Sequence, residues 1–133
     1  MSPRPTLDAL LAECDEQGIF VREIAMPPDW EGAYHRPSST IYLRAGMCET
    51  DAVPTLMHEL EHAARGDDGH QAPSLEARID RAVACRLITP GEYAAAEAIA
   101  GHYSGAIAAE LGLPRWVVSA YRQTLRLERP APR

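Results

Sequence analysis

Residues 55–63 read Thr-Leu-Met-His58-Glu59-Leu-Glu61-His62-Ala. This H-E-x-x-H spacing constrains the chain more than any other feature. Ala52, Val53, Leu56, Met57 and Leu60 recur at helical spacing around it, which predicts a helix from Thr50 or Asp51 to about Ala64. A helix advances about 100° per residue, so His58 and His62 fall on one face, one turn apart. Two imidazoles placed so can close on one ion at about 2.0–2.1 Å each. Glu59 points to the adjacent side of that face. There it can take a proton from a water activated by the ion without itself being a ligand.

A catalytic zinc commonly takes three protein ligands and leaves a fourth position to water. The longer pattern with glycine and a third histidine is absent, because Arg65 and Asp68 stand at those places. His70, Asp68 and Glu76 remain as candidates for the third ligand. Glu76 is favoured because it opens the next predicted helix, with Asp80 four residues on and on the same face. Asp80 can then accept the ring N–H of a ligating histidine and set its tautomer.

Around this motif the pattern alternates between strand and helix. A helix is predicted over 5–17, with Leu7, Leu10 and Leu11 on one side. A strand is predicted over Ile19–Met26, ended by Pro27-Pro28. Two short strands flank the Pro37-Ser38-Ser39 turn, and Ile41–Leu43 is expected to be an exposed edge able to pair with an extended peptide. A third helix runs from Pro73 or Ser74 to about Ile88. Residues 91–111 are Ala-rich and helical, with a break expected near Gly101 or Gly105. A last helix runs from Arg115 to about Glu128, and the tail from Pro130 is expected to fray.

These residues resemble a known family. H-E-x-x-H followed by a helix carrying E-x-x-x-D is the gluzincin arrangement. The small form, with strands before the first histidine and Leu87-Ile88-Thr-Pro90 closing the second helix, is similar to the ImmA/IrrE metallopeptidases. The resemblance covers roughly residues 7–127, and its specific part is the two motif helices. It implies a small α+β, zincin-like domain: a short antiparallel sheet, the H-E-x-x-H helix, the E-x-x-x-D helix and a C-terminal helical hairpin. It further implies His58, His62 and Glu76 as ligands of one Zn2+ ion, with Glu59 as general base. The implied activity is that of a metallo-endopeptidase acting on another protein, a helix-turn-helix repressor of a phage or mobile element. Glu61 departs from the family pattern, which usually has an uncharged residue there.

At 133 residues the chain suits one domain, 1–133, with a peptidase-like core over 1–90 and a helical part over 91–129. The net charge of -6 argues against broad nucleic-acid binding. Residues 114–133 nevertheless carry five Arg against Glu128. Ala108, Gly112 and Val118 also sit where a helix-turn-helix wants a small residue, a turn and a core aliphatic. A DNA-binding or anti-repressor module with a structural metal site, reading DNA through 104–129, is therefore the alternative. The competing expectation is a hairpin that packs through Trp116, Val117 and Tyr121. No apolar run reaches membrane-spanning length, and the N-terminus has too short an apolar stretch for a secretory signal, so a cytoplasmic address is expected. Cys14, Cys48 and Cys85 are odd in number and widely spaced, which disfavours a disulfide scaffold or a cysteine zinc site. Tyr34, His35, Tyr42, His102 and Tyr103 are the candidate donors to a developing oxyanion.

Overall fold

A computed structural model describes residues 4–128. They form six helices and a three-stranded sheet, an α+β arrangement, and the chain divides into two compact units, 1–76 and 77–133. The division falls inside the third helix.

The first unit begins with α1 (Leu7–Glu16). Thr6 caps it by accepting the Ala9 N–H at 3.1 Å, and Leu10 and Cys14 are its buried positions. The sheet follows as β1 (Phe20–Ile24), β2 (Gly32–His35) and β3 (Thr40–Arg44), in spatial order β1-β3-β2. β2 and β3 are antiparallel, with Tyr34 opposite Ile41, whereas β1 and β3 are parallel, with Val21 opposite Ile41. The sheet is thus mixed and not wholly antiparallel as expected. The reason lies in residues 25–31. This excursion carries the chain past the site that β3 will fill, so β2 enters on the far side and β3 returns between its neighbours. Arg44 pins the excursion by donating to the carbonyls of Pro27 (2.8 Å), Pro28 (2.9 Å) and Trp30.

This topology also overturns the expectation that Ile41–Leu43 is an exposed edge. β3 is the central strand, and Ile41 and Leu43 are buried. The edges are β1 and β2.

α2 (Glu49–Arg65) packs on β2 and β3 through Leu56, Met57 and Leu60, all buried. Its N-cap is Cys48, two or three residues earlier than predicted. No side chain caps it; Glu49 and Asp51 in the first turn place negative charge at the positive end of the helix instead. Gly66 ends it in the left-handed conformation, at φ 76°.

The second unit holds most of α3 (Pro73–Leu87), then α4 (Pro90–Ala100), α5 (Ser104–Leu111) and α6 (Arg115–Glu128). Thr89 and Glu92 form a reciprocal capping box at the start of α4. The Ala-rich helix breaks at Gly101, whose φ of 80° and ψ of -163° suit glycine alone, while Gly105 lies within α5. Ile79, Val83, Leu87, Ile107, Val117, Val118 and Tyr121 make the core of this unit. The expected fraying from Pro130 lies outside the described residues.

Candidate metal centre

Helical geometry puts His58 and His62 on one face of α2, and burial then separates their roles. His62 is fully buried; the His58 side chain keeps 15% of its surface in contact with solvent. Their rings meet edge to face with centroids 5.0 Å apart. Glu76, in the first turn of α3, closes the group. Its Oε1 lies 2.8 Å from His58 Nε2 and 2.8 Å from His62 Nε2. The other oxygen, Oε2, accepts the Gln71 backbone N–H at 2.6 Å. All three residues belong to the first unit.

The chemistry of this donor set suits a cation. The Nδ1 of His62 lies 2.9 Å from Asp67 Oδ2, and an ionised carboxylate only accepts. With a ring proton on Nδ1 serving Asp67, Nε2 faces Glu76 Oε1, another acceptor, and that contact calls for a second proton or a cation between them. His58 Nε2 converges on the same oxygen. Lone pairs gathered at such distances need positive charge among them, either protons or a metal. Together His58, His62 and Glu76 offer three ligand atoms within 4.8 Å of one another, and this group could hold a metal ion. Burial pushes the Glu76 carboxyl up, but the Gln71 N–H and the two imidazoles outweigh it and hold the group below the usual carboxylate range.

Glu59 is 3% exposed, one residue from the first ligand. Its Oε2 is buried without a hydrogen-bond partner. Burial raises its pKa against the opposing pull of His58, His62 and His70. A buried carboxylate oxygen without a partner is costly, and positive charge held by the neighbouring His58, His62 and Glu76 group would offset that cost.

β2 comes close to the Glu59 side chain because Gly32 has no side chain. A Cβ at Gly32 would lie 2.9 Å from Thr55 Cγ2 and 3.2 Å from Glu59 Cγ. The next loop then covers the free edge of β2. Arg44 N–H donates to Glu31 O, so antiparallel alternation directs the backbone N–H and C=O of Gly32 and Tyr34 away from β3. Gly32 O accepts from His70 Nε2 at 3.0 Å, Tyr34 O accepts from Gly69 N–H at 2.9 Å, and Arg36 N–H donates to Asp68 Oδ1 at 3.0 Å. His70 also rests on the Trp30 ring, with centroids 4.2 Å apart. His70 and Asp68, the other candidate ligands, are thus engaged in holding the loop to the sheet.

Among the remaining expected residues, Asp80 lies one turn beyond Glu76, in the second unit. There it lines a cavity of about 490 Å³ with Arg115, Trp116, Ser119 and Gln123. At His62 the carboxylate beside Nδ1 is that of Asp67. The signal available in the sequence was an acid directly after a helix-ending glycine, five residues past the histidine. Glu61 is half-buried on α2. Tyr34 is buried in β2, and His35 pairs with Ser38 Oγ at 2.6 Å. Tyr42 is half-buried on the central strand, while His102 and Tyr103 stack on each other in the second unit, centroids 4.9 Å apart. Gly32 and Gln71 were missed, since a glycine's close packing and a backbone donor leave no mark in residue type.

In the second unit α5, the left-handed Gly112 and α6 form a helical hairpin. Ala108, Val117, Val118 and Tyr121 are buried in it. Two of the C-terminal arginines are engaged within the unit: Arg115 Nε donates to Ser104 Oγ at 3.1 Å. Arg122 donates to Tyr93 Oη at 2.9 Å and to His102 O.

No family model, curated protein or solved structure matches the chain. Among the described residues no helix is long and apolar enough to cross a membrane.

Proposed function

We propose that the protein is a small zinc-dependent endopeptidase of the ImmA/IrrE type, with a zincin-like catalytic half. The observation that carries this reading is the convergence of both imidazoles on one Glu76 oxygen, 2.8 Å from each, beside the buried Glu59, whose Oε2 has no hydrogen-bond partner. His58, His62 and Glu76 would hold the ion, and the mixed nitrogen–oxygen donor set suits zinc. When bound, such an ion supplies Lewis acidity to a water and to a carbonyl.

The chain's own residues supply the rest. Burial keeps Glu59 basic enough to accept a proton from the attacking water and to pass it to the leaving amide nitrogen. Asp67 and the Gln71 N–H hold His62 and Glu76 in place. Gly32 lets the sheet lie directly against Glu59, which keeps bulk water from the carboxylate. The substrate is another protein, a helix-turn-helix repressor of a phage or mobile element. A substrate strand that added to β2 would compete with the loop of residues 68–70 for the carbonyls of Gly32 and Tyr34. In the alternative, a DNA-binding or anti-repressor module, α6 would have to present arginines. Arg122 is instead committed to Tyr93 and His102 O, which favours the peptidase.

The test is metal analysis together with cleavage of a repressor encoded beside this gene. His58→Ala should lose zinc and cleavage, whereas Glu59→Gln should keep zinc and lose cleavage. Full zinc retention by His58→Ala, or undiminished cleavage by Glu59→Gln, would contradict the assignment.

A further inference from the structure

The turn that ends α2 also reaches into the candidate centre. Gly66, at φ 76°, lets the chain double back so that its N–H meets Ala63 O and the Asp67 N–H meets His62 O, both at 3.1 Å. The bond from residue 67 to residue 62 is the long bond of a Schellman turn. It sets Asp67 directly over His62, five residues earlier. The side chain repeats the backbone contact, with Oδ2 lying 2.9 Å from the His62 Nδ1. Arg65 Nε donates to the same oxygen at 3.1 Å and limits how the carboxylate can turn. One residue therefore grips both the main chain and the ring of a histidine that is fully buried.

We propose that Asp67 is the positioning residue of the metal centre, through His62, and that the His62–Gly66–Asp67 spacing is its signature. The proposal rests on the reading of His58, His62 and Glu76 as metal ligands. Because a carboxylate only accepts, Asp67 keeps the proton on Nδ1, orients the ring and leaves the Nε2 lone pair free for a cation. The charge on Asp67 also makes the imidazole a stronger donor to that cation. The helix cap and the ligand are thereby one construction: the conformation that ends α2 sets the tautomer.

The test compares zinc affinity of the full chain, by competition with a chromophoric chelator, for wild type, Asp67→Ala and Asp67→Asn. Ring-nitrogen NMR of His62 is recorded in parallel. Asp67→Ala should weaken zinc about 10- to 100-fold and let His62 populate both tautomers. Asn keeps an acceptor oxygen without the charge, so Asp67→Asn should hold the Nδ1–H tautomer and fall between the two in affinity. If Asp67→Ala does not fold, the Asn variant alone decides, through its intermediate affinity. Wild-type affinity in the variants with an unchanged His62 tautomer would overturn the role of Asp67 and leave the centre standing. A wild-type chain that takes up no zinc would overturn the centre, and this role with it.

Discussion

Replacing Gly32 with alanine probes the contact that brings the sheet onto the candidate centre. The added methyl would sit 2.9 Å from Thr55 Cγ2, 3.2 Å from Glu59 Cγ and 3.2 Å from Tyr42 O. Carbon atoms rest comfortably at about 3.5–4.0 Å, so β2 and α2 must part by roughly 0.6–1 Å at this point. Overpacking of this kind costs about 1–3 kcal/mol. Alanine restricts the unfolded chain and returns about 0.4–1 kcal/mol. The expected net loss is about 1–2 kcal/mol. With a urea m-value of about 1–3 kcal/mol/M, that is a midpoint shift on the order of 1 M. Thr55→Ser supplies the control. It deletes the Cγ2 methyl, the tightest of the three contacts, and keeps the hydroxyl that donates to Glu31 Oε2 at 3.3 Å. Gly32→Ala should therefore cost less in the Thr55→Ser background than in wild type, with a coupling of about 1 kcal/mol in the double-mutant cycle. Equal costs in the two backgrounds, or a Gly32→Ala variant as stable as wild type, would refute the argument that glycine is needed for this approach.

Two further outcomes follow from buried titratable groups. Burial raises the Glu59 pKa in the folded state, so the folded chain retains that proton over a range where the unfolded chain has released it. Its contribution to stability is therefore greatest below the unfolded carboxyl value of about 4.3 and declines as pH rises through that value toward the folded one. In chelator-treated protein, Glu59→Gln should gain stability relative to wild type between pH 4 and pH 7 in urea unfolding; a gap that does not change with pH would count against the burial argument. Burial likewise raises the Cys14 thiol, with Glu13 adding to the shift and a backbone hydrogen bond opposing it. At pH 8 a disulfide reagent should label the exposed Cys48 and Cys85 within minutes and Cys14 only after urea is added. Rapid labelling of all three would show the α1 core to be open.

The helices were legible because their signals are local. The stripe through Leu56, Met57 and Leu60 and the close of α3 before Pro90 each act within a few residues. The start of α2 differs because Thr50 looks like a cap, whereas acids in the first turn stabilise the end with no side-chain cap. The sheet was read less well. Strand positions follow from alternation, but pairing depends on where a connection lands. Residues 25–31 carry β2 beyond β3, making the sheet mixed and burying Ile41 and Leu43 in its centre.

The candidate centre divides along the same line. Residue spacing alone determined that His58 and His62 share a helix face with Glu59 beside them, because one turn of helix brings positions four apart together whatever surrounds them. It favoured Glu76 over His70 and Asp68 but could not place any of the three against the imidazoles. Tertiary structure decided that, by fastening His70 and Asp68 to the edge of β2 and leaving the Glu76 oxygen to meet both imidazoles. It also set Asp67 on the far nitrogen of His62 and brought Gly32 onto Glu59. Those contacts depend on how a loop and a strand settle on the helix, and no periodicity in the chain encodes that.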